Sequence, residues 1–379
     1  MLDPARFVDR LHALGVDHYT GVPDSLLKPL CAHIMAALPR GQHVITANEG
    51  AAVGLAIGHH LRTGRLAAVY LQNSGFGNTV NPLLSLADPE VYGIPMVLLV
   101  GWRGQVGVRD EPQHVKQGRV MEALLDAMEL PWAVLPRDDD TVEACLSEAV
   151  STARAQSSPY VLMVEKGTFA EASAADKALD SSTAGLASRE DALAALIDAL
   201  GDGTVNVSTT GMLSRELFEY RERAGGSGAR DFLTVGGMGH CSAIALGVAM
   251  NEPDREVWCL DGDGAILMHL GSLAVIGDHG PPNLFHVVFN NGVHDSVGGQ
   301  PTSIGVVDVA GAGRALGYRS AASAALLEEV APAVGRMRRE GGPALLELRV
   351  RPGNRPGIGR PTRTPAESKA VFMGALGRA

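Results

Sequence analysis

The chain has 379 residues, 46% hydrophobic and 20% charged, which is enough for two hydrophobic cores and too long for one compact domain. Its 32 basic and 42 acidic residues give a net charge of −10, which excludes broad binding of a nucleic-acid backbone and leaves any anionic ligand to local donors. No apolar run approaches a membrane span, the opening Met1–Arg10 does not read as a secretion signal, and the four cysteines (Cys31, Cys145, Cys241, Cys259) are scattered through apolar or helical sequence; a soluble cytoplasmic protein with free thiols, and without disulfides or zinc, is expected.

Through residue 168, helical stretches alternate with short apolar runs: Ile45 near a strand end, then Ala67–Leu71, Met96–Val100, Trp132–Leu135 and Tyr160–Val164. That alternation predicts an α/β domain on a parallel sheet over residues 1–168. Asp24 and Lys28 lie in a turn-forming segment, Gly21-Val-Pro-Asp-Ser-Leu-Leu-Lys28. Glu49 stands in Thr46-Ala-Asn-Glu-Gly-Ala-Ala52, where an apolar strand meets a helix rich in Gly and Ala. By itself it reads as a first-turn glutamate favoured by the helix dipole. Arg109 and His114 bound the polar segment Arg-Asp-Glu-Pro-Gln-His, in which His114 also suits a helix cap.

Residues 169–188 turn to Ala, Ser, Asp and Thr without apolar periodicity, as in a surface linker. A second α/β series fills residues 189–379, with strands expected at Val205–Thr209, Phe232–Val235, Glu256–Leu260, Leu284–Phe289 and Ala344–Val350. The expected fold is therefore α/β, two doubly wound parallel-sheet domains. Ser208-Thr-Thr-Gly211 closes the first of these strands, and Thr210 is the preferred anion contact there, although a helix N-cap fits as well. Glu256–Leu260, the Gly262-Asp263-Gly264 turn, a helix over Ala265–Ile276 and Leu284–Phe289 read as one βαβ unit. Asn290 and Asn291 follow Asp263 by 27 and 28 positions. In such a unit Asp263 and Asn291 emerge side by side at the carboxyl edge of the sheet, above a helix start. One carboxylate, one amide oxygen and backbone carbonyls suit Mg²⁺ completed by phosphate oxygens, while Gly264 and Ala265 offer helix-start N–H groups. The loop beyond, His294 to Thr302, joins two glycines to His294, Asp295, Ser296 and Gln300, which is anion-binding chemistry.

Gly-Asp-Gly, this interval and then Asn-Asn resemble the cofactor signature of the thiamine-diphosphate-dependent enzymes. The resemblance implies Asp263, Asn291 and the carbonyl of Val293 as ligands of Mg²⁺, and Glu49 as the acid that shares its proton with the aminopyrimidine of thiamine diphosphate. Val235-Gly-Gly-Met-Gly239 is similar to the family's segment with an apolar wedge, Met238, and a carbonyl acceptor, Gly236. Two domains without a third between them match a minimal member, a pyrimidine-binding domain preceding a diphosphate-binding one.

The runs Asp295-Ser-Val-Gly-Gly-Gln-Pro-Thr302, Ser208–Phe218, Arg109–His114, Gly21–Lys28 and Gly359-Arg360-Pro-Thr-Arg-Thr-Pro365 resemble the phosphonopyruvate decarboxylases within that family. This implies decarboxylation of 3-phosphonopyruvate to phosphonoacetaldehyde and CO₂, in phosphonate and antibiotic biosynthesis. Lys28, Arg109, Ser296 and Gln300 are then the substrate's anion donors, aided by the tail around Arg360. His114, His294 and Asp24 are the groups for proton transfer. The family also implies a homo-oligomer, at least a dimer, with Glu49 and Asp263 reaching one site from different subunits. A sulfopyruvate decarboxylase and a carboligase related to acetolactate synthase are the competing readings. The first shares the three-oxygen anion, and the second is disfavoured by the absence of a middle domain.

Overall fold

A computed structural model of the protein describes residues 1–171, 183 and 185–377. The chain divides into two compact units, Met1–Lys177 and Ala178–Ala379.

The first unit is a six-stranded parallel sheet of β1 (Val16–Gly21), β2 (His43–Ile45), β3 (Leu66–Gln72), β4 (Met96–Gly101), β5 (Trp132–Val134) and β6 (Pro159–Val164), in the order β2-β1-β3-β4-β6-β5. Helices α1 (Pro4–Ala13), α2 (Lys28–Ala37), α3 (Glu49–Thr63), the single turn α4 (Val80–Pro82), α5 (Pro112–Ala127) and α6 (Asp139–Gln156) connect them. The central strands read as unbroken apolar runs because both faces are covered. On β3, Leu66, Ala68 and Tyr70 enter one core cluster while Ala67, Val69 and Leu71 enter the other. Strand β1 went unpredicted: its sequence Val-Asp-His-Tyr-Thr-Gly alternates poorly, yet Thr20 and Tyr19 are buried between β2 and β3.

The second unit repeats the plan with β7 (Val205–Ser208), β8 (Asp231–Leu233), β9 (Val257–Gly262), β10 (Leu284–Asn290), β13 (Ser320–Ala324) and β14 (Ala344–Arg349), ordered β13-β14-β10-β9-β7-β8. A small hairpin, β11 (Val293–His294) with β12 (Gln300–Pro301), stands apart from that sheet. Its helices are α7 (Arg189–Leu200), α8 (Met212–Ala224), α9 (Cys241–Asn251), α10 (Asp263–Met268), α11 (Ser272–His279), α12 (Val309–Ala315), α13 (Leu327–Glu340) and α14 (Pro365–Ala375). Strands β9 and β10 are parallel neighbours, Leu284 facing Val257 and Phe289 facing Gly262, so residues 263 and 290–291 leave the same edge together.

One expectation needs correction. The helix over Ala265–Ile276 is two helices, α10 and α11: His269 leaves helical backbone at φ −135°, ψ 49°, and its ring lies against Gly239 and 4.6 Å from the His240 ring. Strand β13, Ser-Ala-Ala-Ser-Ala, was also unpredicted, having only small side chains to signal it. The linker, 169–188, lies largely outside the described residues, and its ends belong to the units: Phe169 packs in the first core and bridges to Leu2, while Ser188 caps α7. All four cysteines are free, but Cys241 and Cys259, eighteen apart in sequence, meet in the second core with sulfurs 3.6 Å apart. Among the described residues no helix is long and apolar enough to cross a membrane.

Candidate active site

In the first unit, Asn48 caps α3 by accepting from the Ala51 N–H, and this sets Glu49 at the first helical position, 5% exposed. Its carboxylate lies against the 3₁₀ segment Asn73–Thr79. Asn78 Nδ2 donates to Glu49 Oε2 at 2.7 Å, and Gly75 passes so close that a Cβ there would stand 2.0 Å from Oε1. Burial raises the Glu49 pKa, with the Asn78 hydrogen bond acting in the opposite direction. Gly75→Ala is therefore expected to push the Glu49 carboxylate out of its seat. We expect turnover to fall by roughly 10²-fold, as for loss of a proton-transfer group, while circular dichroism stays native; near-normal turnover would show that the carboxylate's placement is unimportant.

A second cluster ends β1, β3 and β4. Asp24 is fully buried; its carboxylate accepts from Gln72 Nε2 at 2.6 Å and from the Leu26 and Leu27 N–H groups, and burial raises its pKa despite those bonds. Arg103 grips Asp110 in bidentate fashion and donates to Ser25 Oγ at 2.8 Å. Burial acts upward on Asp110, yet hydrogen bonds from Arg103, His114, Glu111 N–H and Gly104 N–H hold it well below the usual carboxylate range. His114 turns Nδ1 to Asp110 at 3.0 Å, which places the proton on Nδ1 in the neutral ring and leaves Nε2 for a ligand. Lys28, at the start of α2, and Arg109 are both exposed. Sequence reasoning missed Asn78, Gln72 and Arg103, which stand in no motif of their own, and passed over Asp110 inside the Arg109–His114 segment.

In the second unit the paired asparagines divide their work. Asn290 donates to Glu347 Oε1 on β14 at 2.6 Å, so it belongs to the sheet. Asn291, 7% exposed, donates from Nδ2 to Asp295 Oδ2 at 2.6 Å, and its Oδ1 accepts from the Val293 N–H at 3.2 Å. Asp263, 3% exposed, opens α10 and accepts from Thr302 Oγ1 at 2.6 Å, while the Thr302 N–H donates to the Gly292 carbonyl at 2.9 Å. Thr302 thus ties the Asp263 turn to the Asn291 turn. Burial pushes the Asp263 carboxyl up to about 6, against the hydrogen bonds from Thr302 and the Gly264 N–H.

Above the α10 start, a Cβ on Gly264 would stand 2.9 Å from the His294 ring and 3.2 Å from the Met238 methyl, so the two side chains converge there. Burial pushes His294 down to about 4, so the ring is neutral at pH 7. Gln300, across the hairpin from His294, is 2% exposed with Oε1 unpartnered, whereas Ser296 is exposed. Asp295 and Thr302 do not serve as open anion donors: Asp295 is engaged by Arg189, Asn291 and the Gly353 N–H, and Thr302 by Asp263. Thr210 and Gly236 are half-buried, and Ala265 is buried beside Gly264. Arg360 is exposed in a tail that α7 and α8 hold through Arg355, which pairs with Glu190 and Glu219.

Residues 5–130 match the thiamine pyrophosphate enzyme N-terminal TPP binding domain, and residues 209–348 match the C-terminal TPP binding domain. The chain is 37% identical over 384 residues to phosphonopyruvate decarboxylase of Streptomyces viridochromogenes, covering 98% of this chain and 94% of the relative. It is 35% identical over 384 residues to phosphonopyruvate decarboxylase of Streptomyces hygroscopicus, with 98% and 93% covered. To sulfopyruvate decarboxylase of Methanosarcina acetivorans it is 25% identical over 370 residues, with 92% and 91% covered.

Proposed function

The chain belongs to the thiamine pyrophosphate enzymes, and we propose that it is a Mg²⁺-dependent decarboxylase converting 3-phosphonopyruvate to phosphonoacetaldehyde and CO₂ in phosphonate biosynthesis. The observation that carries this reading is near full-length similarity to phosphonopyruvate decarboxylases in a chain whose Asp263 and Asn291 turns are tied together by Thr302. The donor set fits the cofactor. A buried carboxylate, an amide oxygen and the Val293 carbonyl are hard oxygen ligands suited to Mg²⁺, and side-chain-free Gly264 leaves the α10 start open to a diphosphate.

When bound, thiamine diphosphate supplies the nucleophilic carbon and the electron sink for CO₂ loss. The protein's part is to bind, orient and move protons. Asp263, Asn291 and Val293 would hold the cation, and Gly264, Ala265 and Thr210 the diphosphate. Met238 offers the apolar wedge and Gly236 a carbonyl. Glu49, kept protonated more readily by burial, holds a proton on its carboxyl for the aminopyrimidine. His294 as a neutral imidazole, His114 oriented by Asp110, and Asp24, whose carboxyl burial shifts upward, are the candidate donors for product release. The active form is a cytoplasmic homo-oligomer of at least two chains, in which Glu49 and Asp263 serve one centre from different subunits.

The substrate's phosphonate calls for several donors in an acidic protein, and Lys28, Arg109, Ser296 and Gln300 supply them. Gln300 lies buried on the hairpin that carries His294, and only its Nε2 can donate to the phosphonate; the unpartnered Oε1 is an acceptor. Ser296→Ala and Gln300→Ala are expected to lower kcat/KM for phosphonopyruvate by roughly 10-fold to 10²-fold, taking about 1.5 to 3 kcal/mol per charge-assisted bond, and to leave slow pyruvate turnover nearly unchanged. Equal losses on both substrates would remove the loop from anion recognition. Phosphorus NMR of phosphonopyruvate turnover, with sulfopyruvate as competitor, tests the activity itself; preference for sulfopyruvate would favour the sulfonate reading.

A further inference from the structure

We propose that Asp295 is a positioning residue for the cation: it fixes the Asn291 amide so that Oδ1 is the atom left for a metal. This inference rests on the reading of Asp263, Asn291 and Val293 as cation ligands. The two ends of an asparagine amide are nearly equal in size and opposite in hydrogen-bond character, and only the oxygen can ligate Mg²⁺. An ionised carboxylate accepts and cannot donate. Asp295 Oδ2, 2.6 Å from Asn291 Nδ2, therefore selects one of the two amide orientations. The same orientation lets Oδ1 accept the Val293 N–H at 3.2 Å, leaving its second lone pair available.

Asp295 is itself held from three directions. Arg189 Nη1 donates to its Oδ2 at 2.9 Å, and the Gly353 N–H donates to its Oδ1 at 3.0 Å. Arg189 is fixed in turn by Glu216, through Nε at 2.8 Å and Nη2 at 2.9 Å. The Arg189, Glu216 and Asp295 side chains are only 8%, 1% and 10% exposed. Asp295 therefore favours the metal by holding the amide in its ligating orientation.

Calorimetric titration of thiamine diphosphate into the full-length apoprotein, repeated over a series of Mg²⁺ concentrations, tests this. Asp295→Asn, which can present a donor or an acceptor, is expected to raise the Mg²⁺ needed for half-maximal cofactor binding by roughly 10- to 100-fold, with saturating Mg²⁺ restoring binding. Glu216→Gln loosens the same buried network one residue further back; it should lower the melting temperature and keep the wild-type Mg²⁺ requirement. Asp295→Glu, acceptor-only like the native side chain, should need less Mg²⁺ than Asp295→Asn, which keeps the test usable if one variant folds poorly. An unchanged requirement in Asp295→Asn, an equal shift in Glu216→Gln, or a greater requirement in Asp295→Glu than in Asp295→Asn overturns the assignment. Wild-type protein that binds no thiamine diphosphate at any Mg²⁺ concentration overturns the cofactor reading instead.

Discussion

A Glu49→Gln variant is expected to bind thiamine diphosphate and yet turn over at least roughly 10²-fold more slowly, the scale set by loss of a positioned proton carrier. The substitution keeps the shape of the side chain, and a Gln oxygen can still accept from Asn78 in the seat beside Gly75. Only the ionisable proton is lost, so the deficit belongs in kcat and in proton exchange on the cofactor, with little change in its affinity. Turnover within a few-fold of wild type would return Glu49 to the role of a first-turn glutamate.

The same variant should alter stability in the opposite sense. Unfolded, Glu49 ionises in the ordinary glutamate range; folded, burial raises its pKa. Between those two values the native state binds more protons than the unfolded state, so stability falls as pH rises through the window, and the loss is complete above the folded pKa. Gln suffers no such loss. Apo Glu49→Gln should therefore melt above the wild type, by a margin that widens as pH rises from the ordinary glutamate range through the raised folded pKa. A margin that shrinks over that range would mean that the buried carboxylate is stabilised in its charged form.

Asp263→Ala is expected to abolish Mg²⁺-dependent cofactor binding, by at least about 10²-fold, beyond what loss of a group behind a metal ligand costs. The reason is local. Asp263 is the one carboxylate in the proposed ligand set, and without it Thr302 loses the acceptor through which it ties the two turns. Calorimetry of apoprotein with thiamine diphosphate and Mg²⁺ measures this directly; tight binding in the variant would remove Asp263 from the site. Mixing inactive Glu49→Gln and Asp263→Ala proteins under subunit exchange should regenerate some activity, since one of the mixed centres would then hold both native residues. No recovery despite proven exchange would place Glu49 and Asp263 of each centre in the same chain.

What the sequence disclosed depended on how local each signal was. Strands β3, β4, β9, β10 and β14 are apolar runs buried on both faces, and the runs alone located them. Strand β1 escaped because Asp17, His18 and Thr20 interrupt its run, and the break at His269 escaped because α10 and α11 share one helical spacing. Asp263 and Asn291 stood out because a Gly-rich turn and paired asparagines at neighbouring strand ends are written within a few residues, whereas Glu49 and Met238 were singled out by the family resemblance of their segments. Their supporting partners are not local. Asn78 reaches Glu49 across 29 residues, Gln72 reaches Asp24 across 48, and Arg189 reaches Asp295 across 106, and no periodicity links such pairs. For the same reason Arg109, prominent in a motif, is exposed, while Arg103, prominent in none, is tied to Asp110 and Ser25.

The lacing of the second unit also constrains how the protein can be cut. The Arg351 N–H donates to the Ala187 carbonyl, Ser188 bridges to Arg351, and Gly353 reaches Asp295, so the segment entering α7 and the segment leaving β14 form one seam. A fragment for separate expression therefore has to begin upstream of Ala187 and run past Gly353. A start at Arg189 or an end at Val350 would look harmless by strand and helix boundaries, yet each would open the seam, and the second would also remove the Gly353 tether on Asp295.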